Sequence, residues 1–328
     1  MKRYSEYRKM KYLLFSAIFL CLGSGCTKKE FQHSEDEIRL GVSQFTRAAV
    51  NTLSDLAGVG DNIGIYGIRT ADVSGNVSAS EWDGVPVMDN VRTSGIDASS
   101  GDIRWEGAYY YPLEADAYVK FCAYHPYTSG DAFSLEKPVS AAPVLHFTLS
   151  GEEDIMFANP VVGSRNSPAG GLEFRHALTQ LRFRVIDQYG TFSGERIEAI
   201  VFTGVNTRGT MNIETGALDA WGSPAELPVP GIDGVAITGT AGTPQEIGSE
   251  IMLQPGQPSF NLRVVTSAGI YENVTVRPTS SLNGTPESSF AAERSYLITL
   301  TFTQKNNIVM SATVVPWEIA GSGSCIIR

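Results

Sequence analysis

Apolar side chains recur at every second position along most of this chain, a period that belongs to strands and not to helices. Tyr296, Ile298, Leu300 and Phe302 alternate with Leu297, Thr299, Thr301 and Thr303. Leu181, Phe183 and Val185 alternate with Arg182, Arg184 and Ile186, and Phe260, Leu262 and Val264 with Asn261, Arg263 and Val265. Shorter runs cover Ile63–Ile68, Tyr118–Tyr127, Val144–Leu149, Arg196–Val205, Gly209–Ile213 and Asn273–Arg277, each bounded by Gly, Pro, Asn or Ser. Strands with one apolar and one polar face pair into antiparallel sheets that pack face to face. Helical patterns are scarce. Only Val50–Ala57 and Arg175–Gln180 are expected to hold a turn or two of helix.

Asn159–Gly171 carries two Pro, three Gly and little apolar content, the composition of an exposed connector. It predicts two all-β domains in tandem, 48–170 and 171–328, each with about six strands at sandwich spacing. A length of 328 residues agrees with roughly two domains. A charged fraction of 18% is too low for a disordered chain. A net charge of −10 opposes nucleic-acid binding, which needs clustered Lys and Arg.

The N-terminus departs from this pattern. Lys2, Arg3, Arg8, Lys9 and Lys11 precede an apolar run from Tyr12 to Leu22, then Gly23-Ser24-Gly25 and Cys26. That is the anatomy of a secretory signal, residues 1–25. The apolar run is too short to span a membrane. A thiol directly after small residues resembles a lipoprotein signal in which Cys26 is acylated. Gly23 stands where leucine is usual, with Leu22 one place earlier. A plain signal peptide followed by an incidental Cys is the alternative. Residues 1–47 hold nine basic and five acidic side chains, so the remainder carries sixteen against thirty and is strongly acidic. Cys122 and Cys325 are compatible with one disulfide or with two free thiols.

No catalytic constellation is present. There is no nucleophile elbow, P-loop or Cys/His cluster with metal spacing, so no enzyme, cofactor or metal is expected. Gly58-Val59-Gly60-Asp61-Asn62-Ile63-Gly64 misplaces the third Gly of a dinucleotide fingerprint. His125, His146 and His176 fall in separate strand-like segments and read as sheet residues. Trp105, Tyr109, Tyr110 and Tyr111 read as a sandwich core and edge, or else as a platform for sugar stacking.

Several segments in order carry a family resemblance. They are the lipoprotein-like start, Thr46-Arg47-Ala48, Asn62–Gly67, Trp105 with Tyr109–Pro112, and Val119–Tyr127. Asp154–Ala158, Phe174–Phe183, Leu253–Gly256, Tyr296–Phe302 and Val314–Glu318 follow. Together they resemble the fimbrillin family of type V pilus subunits over nearly the whole chain. The resemblance implies two transthyretin-like β-sandwiches after a lipoprotein signal peptide. It also implies an outer-membrane lipid anchor, palmitate at Cys26, and no enzymatic activity.

It further implies maturation. An arginine-specific protease would cut between Arg47 and Ala48, removing a tether and first strand (26–47). That strand would be Ile38–Phe45, with Ile38, Leu40 and Val42 facing the core. Its loss opens an apolar groove that a strand from a neighbouring pilus subunit fills. Arg39 lies within the strand and is a poorer cleavage position. After Trp317 only eleven residues remain, with Cys325-Ile326-Ile327 as the sole apolar group, a thin donor strand that fits a tip or accessory subunit over a stalk subunit. A non-polymerising surface lipoprotein that binds glycans on a host or bacterial surface is the alternative reading, and a surface hydrolase on a β scaffold a third.

Overall fold

The computed structural model describes residues 36–45, 58, 62–127, 131–280, 287–304 and 307–315. Met1–Glu37 and Ile38–Arg328 are separate units, and every element below belongs to the second. Its first part contains β1 (Val42–Phe45), β2 (Gly64–Thr70), the single-turn helix α1 (Ala79–Trp82), β3 (Met88–Ile96), β4 (Ile103–Trp105) and β5 (Tyr118–His125). Then come β6 (Phe133–Glu136), β7 (Val144–Thr148), β8 (Met156–Asn159), β9 (Val161–Gly163), β10 (Leu172–His176) and β11 (Thr179–Asp187). The chain continues through β12 (Arg196–Asn212), β13 (Leu218–Pro228), β14 (Val235–Ala236), β15 (Gln245–Leu253) and β16 (Phe260–Thr266). β17 (Gly269–Val276), β18 (Pro278–Ser280), β19 (Arg294–Gln304) and β20 (Asn307–Val315) complete it. The fold is all-β, as the alternation predicts.

Three sheets form. An eight-stranded sheet runs β1-β10-β8-β5-β2-β3-β4, with β9 also on β5. A seven-stranded sheet runs β17-β16-β12-β7-β6, with β13 and β14 on β12, and a five-stranded sheet runs β15-β11-β19-β20-β18. The five- and seven-stranded sheets enclose a core that includes Phe183, Phe202, Phe260, Phe290, Tyr296 and Phe302. The eight-stranded sheet instead curls around its own core, which holds Ile63, Ile65, Met88, Val119, Phe121, Met156 and Phe174.

A third core lies between the outer face of the curled sheet and one end of the seven-stranded sheet. Alternation places its members. On β5, Val119, Phe121 and Ala123 face the curled core, while Cys122 and Tyr124 face the third core with Phe147 and Met211. Met156 and Ala158 face the first on β8, Ile155 and Phe157 the third. Both faces of β5 are therefore dry, which is why its sequence is nearly continuous in apolar residues. Lys120 is the exception. It is buried on β5 and pairs with Glu214 in the turn after β12. Removing two charges from water is tolerable there because each meets the other.

Three expectations change. Arg175–Gln180 is not helical: β10 ends at His176, β11 begins at Thr179, and the Ala177-Leu178 link bonds outward to strands. Ala177 donates to the Ile155 carbonyl at 2.7 Å, and Glu293 donates to the Leu178 carbonyl at 3.0 Å. With those groups already paired, a helical turn gains nothing. Arg196–Val205 and Gly209–Ile213 merge into the one seventeen-residue β12. Asn159–Gly171 contains β9 and a tight hairpin in which Ser164 and Ser167 exchange backbone bonds. Strands also cross it both ways, since β7 pairs with β12 and β10 pairs with β8. Val50–Ala57 lies outside the described residues.

Candidate functional site

The segment Ile38–Phe45 occupies an unusual place in the curled sheet. Ile38 donates to the Tyr109 carbonyl at 2.8 Å, Ile103 donates to the Leu40 carbonyl at 3.0 Å, and Val42 donates to the Gly101 carbonyl at 2.9 Å. Gly41 forms an antiparallel bridge with Asp102. All of these contacts lie at the β4 end of the sheet. On its other side, Gly41 accepts from Leu172 at 2.7 Å, and β1 then runs parallel to β10 with Val42 opposite Leu172 and Phe45 opposite Phe174. One extended segment thus closes both ends of an eight-stranded sheet. Regular strand begins only at Val42, because the first four residues cross from one edge to the other.

Ile38, Leu40 and Val42 project to the inside, 1%, 3% and 8% exposed. They share the core that holds Ile103, Tyr111, Leu172 and Phe174. Burying each side chain is worth roughly 1.5–3 kcal/mol. Without this segment, two rows of backbone groups and an apolar slot would face water, the template to which an extended chain adds.

The walls of the slot are stiff. At the β3–β4 turn, Asp97 Oδ1 accepts from Ser99 Oγ at 2.6 Å and from the Ser99 and Ser100 amides at 2.9 and 3.0 Å. These bonds, the Ser99 hydroxyl first, hold the Asp97 carboxyl well below its ordinary pKa. Asp97 and Asp102 also pair through backbone at 2.9 Å. Tyr111 packs edge-on to Phe121 with centroids 6.1 Å apart, and its hydroxyl accepts from the Ala169 amide at 2.9 Å. Burial pushes the Tyr111 phenol up. The far wall, β10, is fixed by Arg175, whose guanidinium reaches both carboxylate oxygens of Glu293 at 2.8 and 3.0 Å. It is fixed again by His176 Nδ1 on Asp154 at 2.7 Å.

Of the residues singled out in the sequence, Ile38, Leu40 and Val42 come together here. Cys26, Arg47, Ala48 and Cys325 lie outside the described residues. Cys122 is a free, wholly buried thiol. His125 Nδ1 bonds the Asn62 carbonyl at 3.0 Å, and His146 Nε2 meets Glu136 at 2.7 Å. Among the described residues no three His, Cys, Asp or Glu side chains gather as a metal site. Sequence reasoning missed Gly101–Ile103 and Tyr109 as partners of the first segment. These are backbone contacts about sixty residues away, and no side-chain pattern announces them.

A family model described as fimbrillin-like matches residues 46–317. Among solved structures, the chain is similar to a fimbrial protein from Bacteroides vulgatus, with 14% identity, 85% of this chain and 99% of that one covered, and a TM-score of 0.55. It is also similar to a proposed cell adhesion protein from Bacteroides uniformis, with 19% identity, 85% and 99% coverage and a TM-score of 0.55. A proposed cell adhesion protein from Bacteroides ovatus aligns with 14% identity, 88% and 100% coverage and the same TM-score of 0.55. At such identities the likeness is one of fold. No curated protein matches the chain.

Proposed function

This chain belongs to the fimbrillin-like family, and we propose that it is a structural and adhesive pilus subunit whose first segment is a removable plug. The observation that carries the reading is the placement of Ile38–Phe45, which closes both edges of the curled sheet with three buried side chains. The chain is exported, acylated at Cys26 and held at the outer membrane. An arginine-specific protease cuts between Arg47 and Ala48. The segment leaves, and a strand from a neighbouring subunit enters the slot, parallel to β10 and with alternate apolar side chains in the positions of Ile38, Leu40 and Val42. The contact is heterologous and head to tail, so its repetition gives a fibre and not a closed ring.

Arg47→Ala tests this. The expected product is a full-length lipoprotein that stays out of pili, whereas the parent shows Ala48 at its N-terminus by mass spectrometry. Normal assembly of the variant would overturn the reading. The competing reading, a surface lipoprotein that binds glycans without polymerising, is supported instead if the surface form keeps an acylated Cys26.

A further inference from the structure

We infer that the loop between β4 and β5 is the surface on which the body of a strand-donating pilus subunit docks. The inference rests on the proposed plug exchange and adds a second contact to it.

Direction decides which end of the slot the neighbour approaches. Ile38–Phe45 starts beside Tyr109, whose carbonyl accepts from Ile38, and then runs parallel to β10. β10 leads through Ala177-Leu178 into β11. The plug therefore points from the Tyr109 end toward the end where the second half of the chain continues. A strand that replaces it in the same direction leaves its own subunit just before the position of Ile38. Each residue of a linker spans at most about 3.6 Å, so a short linker holds the donor's body at the Tyr109 end, away from β11.

That end presents apolar side chains on a fixed loop. Tyr110 and Leu113 are 51% and 73% exposed, and Leu113 lies within about 14 Å of chain from Tyr109. Their neighbours are tied down. Tyr109 stands edge-on to Trp105, centroids 6.5 Å apart. Tyr111 is buried in the curled core with its hydroxyl on the Ala169 amide. Glu114 pairs with Arg69 at 3.3 Å, and its carbonyl accepts from the Ala117 amide at 3.2 Å. A depression of about 410 Å³ lined by Arg69, Asp116 and Ala117 is also lined by Val85, which is 90% exposed and extends the apolar surface. Side chains carried on a loop that is already ordered lose little freedom on contact, and Tyr is enriched where protein surfaces meet.

The test places the photo-crosslinking residue benzoylphenylalanine at Tyr110 of the full chain in the producing cell, and mass spectrometry reads adducts in purified pili. The expected adduct joins this loop to a globular-domain peptide of the neighbouring subunit. The double variant Tyr110→Glu with Leu113→Glu should still be cut to an Ala48 N-terminus. Once cut, it should bind a peptide of residues 38–45 as the cut parent does. It should enter pili roughly tenfold less, as loss of an aromatic interface anchor implies. Thr275→Glu, exposed on β17, should enter at the parent level. Parent-level entry of the double variant overturns the inference, as does an equal loss from Thr275→Glu. No adduct, or an adduct confined to the donated strand, overturns it as well. So does loss of cutting or of peptide binding together with entry, which would put the defect in the slot. Failure of the plug reading shows separately, as normal assembly of Arg47→Ala.

Discussion

The amide of Ile103 donates to the carbonyl of Leu40 at 3.0 Å, which ties the segment Ile38–Phe45 to the strand at the far end of its own sheet. Leu40 meanwhile sits 3% exposed in the core of that sheet. Backbone closure and side-chain burial act through one residue.

Leu40→Ala should therefore cost about 2–5 kcal/mol, the range for emptying a buried leucine position. Urea unfolding of the parent and variant chains measures it. An effect within the ±0.5 kcal/mol typical of surface positions would show that the segment is not part of the cooperative fold.

Cutting the folded chain after Arg47 should allow the released segment to exchange. A fluorescent peptide with the sequence of residues 38–45 should then bind the cut chain and raise polarisation. The same peptide with Glu in place of Leu40 should not, because an unpaired carboxylate would enter an apolar slot. Equal binding of both peptides would mean the contact is not read by side chains.

Lys120 and Glu214 should behave as a buried pair. Glu214 keeps a quarter of its side chain in solvent, so Lys120→Met alone should cost less than the roughly 3–5 kcal/mol of a fully buried charge left unpaired, Glu214→Leu alone should approach it, and the double replacement should cost less than Glu214→Leu alone. A double-mutant cycle in urea gives the coupling. Additive single effects would show that the two charges do not depend on each other.

Cys122 should resist alkylation in the native chain and react only after unfolding. Burial pushes its thiol up to about 12. The folded chain keeps this proton where the unfolded chain has lost it, so the contribution to stability is complete below the unfolded value near 9. It declines as pH rises from there toward 12. Cys122→Ala should flatten that part of the stability profile, and an unchanged slope would assign the alkaline loss to other groups.

Gly216 has φ 70°, and a Cβ there would lie 2.2 Å from the Phe157 ring. Gly216→Ala should therefore destabilise by more than the roughly 1 kcal/mol of an ordinary glycine position. A thermal melt checks the direction.

The alternation made the strands and their buried faces legible. Phe121 against Cys122 and Met156 against Phe157 sort into two cores by parity alone. What remained hidden is mostly long-range pairing. Thr148 sits opposite Arg208 across β7 and β12, and no local pattern encodes that partner. The break read between Val205 and Gly209 was polar content: Asn206 bonds Gln254 at 2.9 Å and Thr207 bonds the Ser223 carbonyl at 2.8 Å, so these residues are satisfied inside a strand. Gly and Pro near Asn159–Gly171 marked a turn, as turns require, but a turn need not divide domains. For the candidate plug, the inward side chains followed from period two, while its second edge at Gly101–Ile103 did not.

β12 has a mechanical meaning. Its seventeen residues reach roughly 55 Å at 3.3 Å per residue. It contributes Ile197, Ile200, Phe202 and Val205 to one core and Met211 to another. Inter-strand hydrogen bonds stand perpendicular to a strand, so tension along β12 loads them side by side in shear and does not peel them one at a time. A strand common to two cores makes the polypeptide a tie-rod between them.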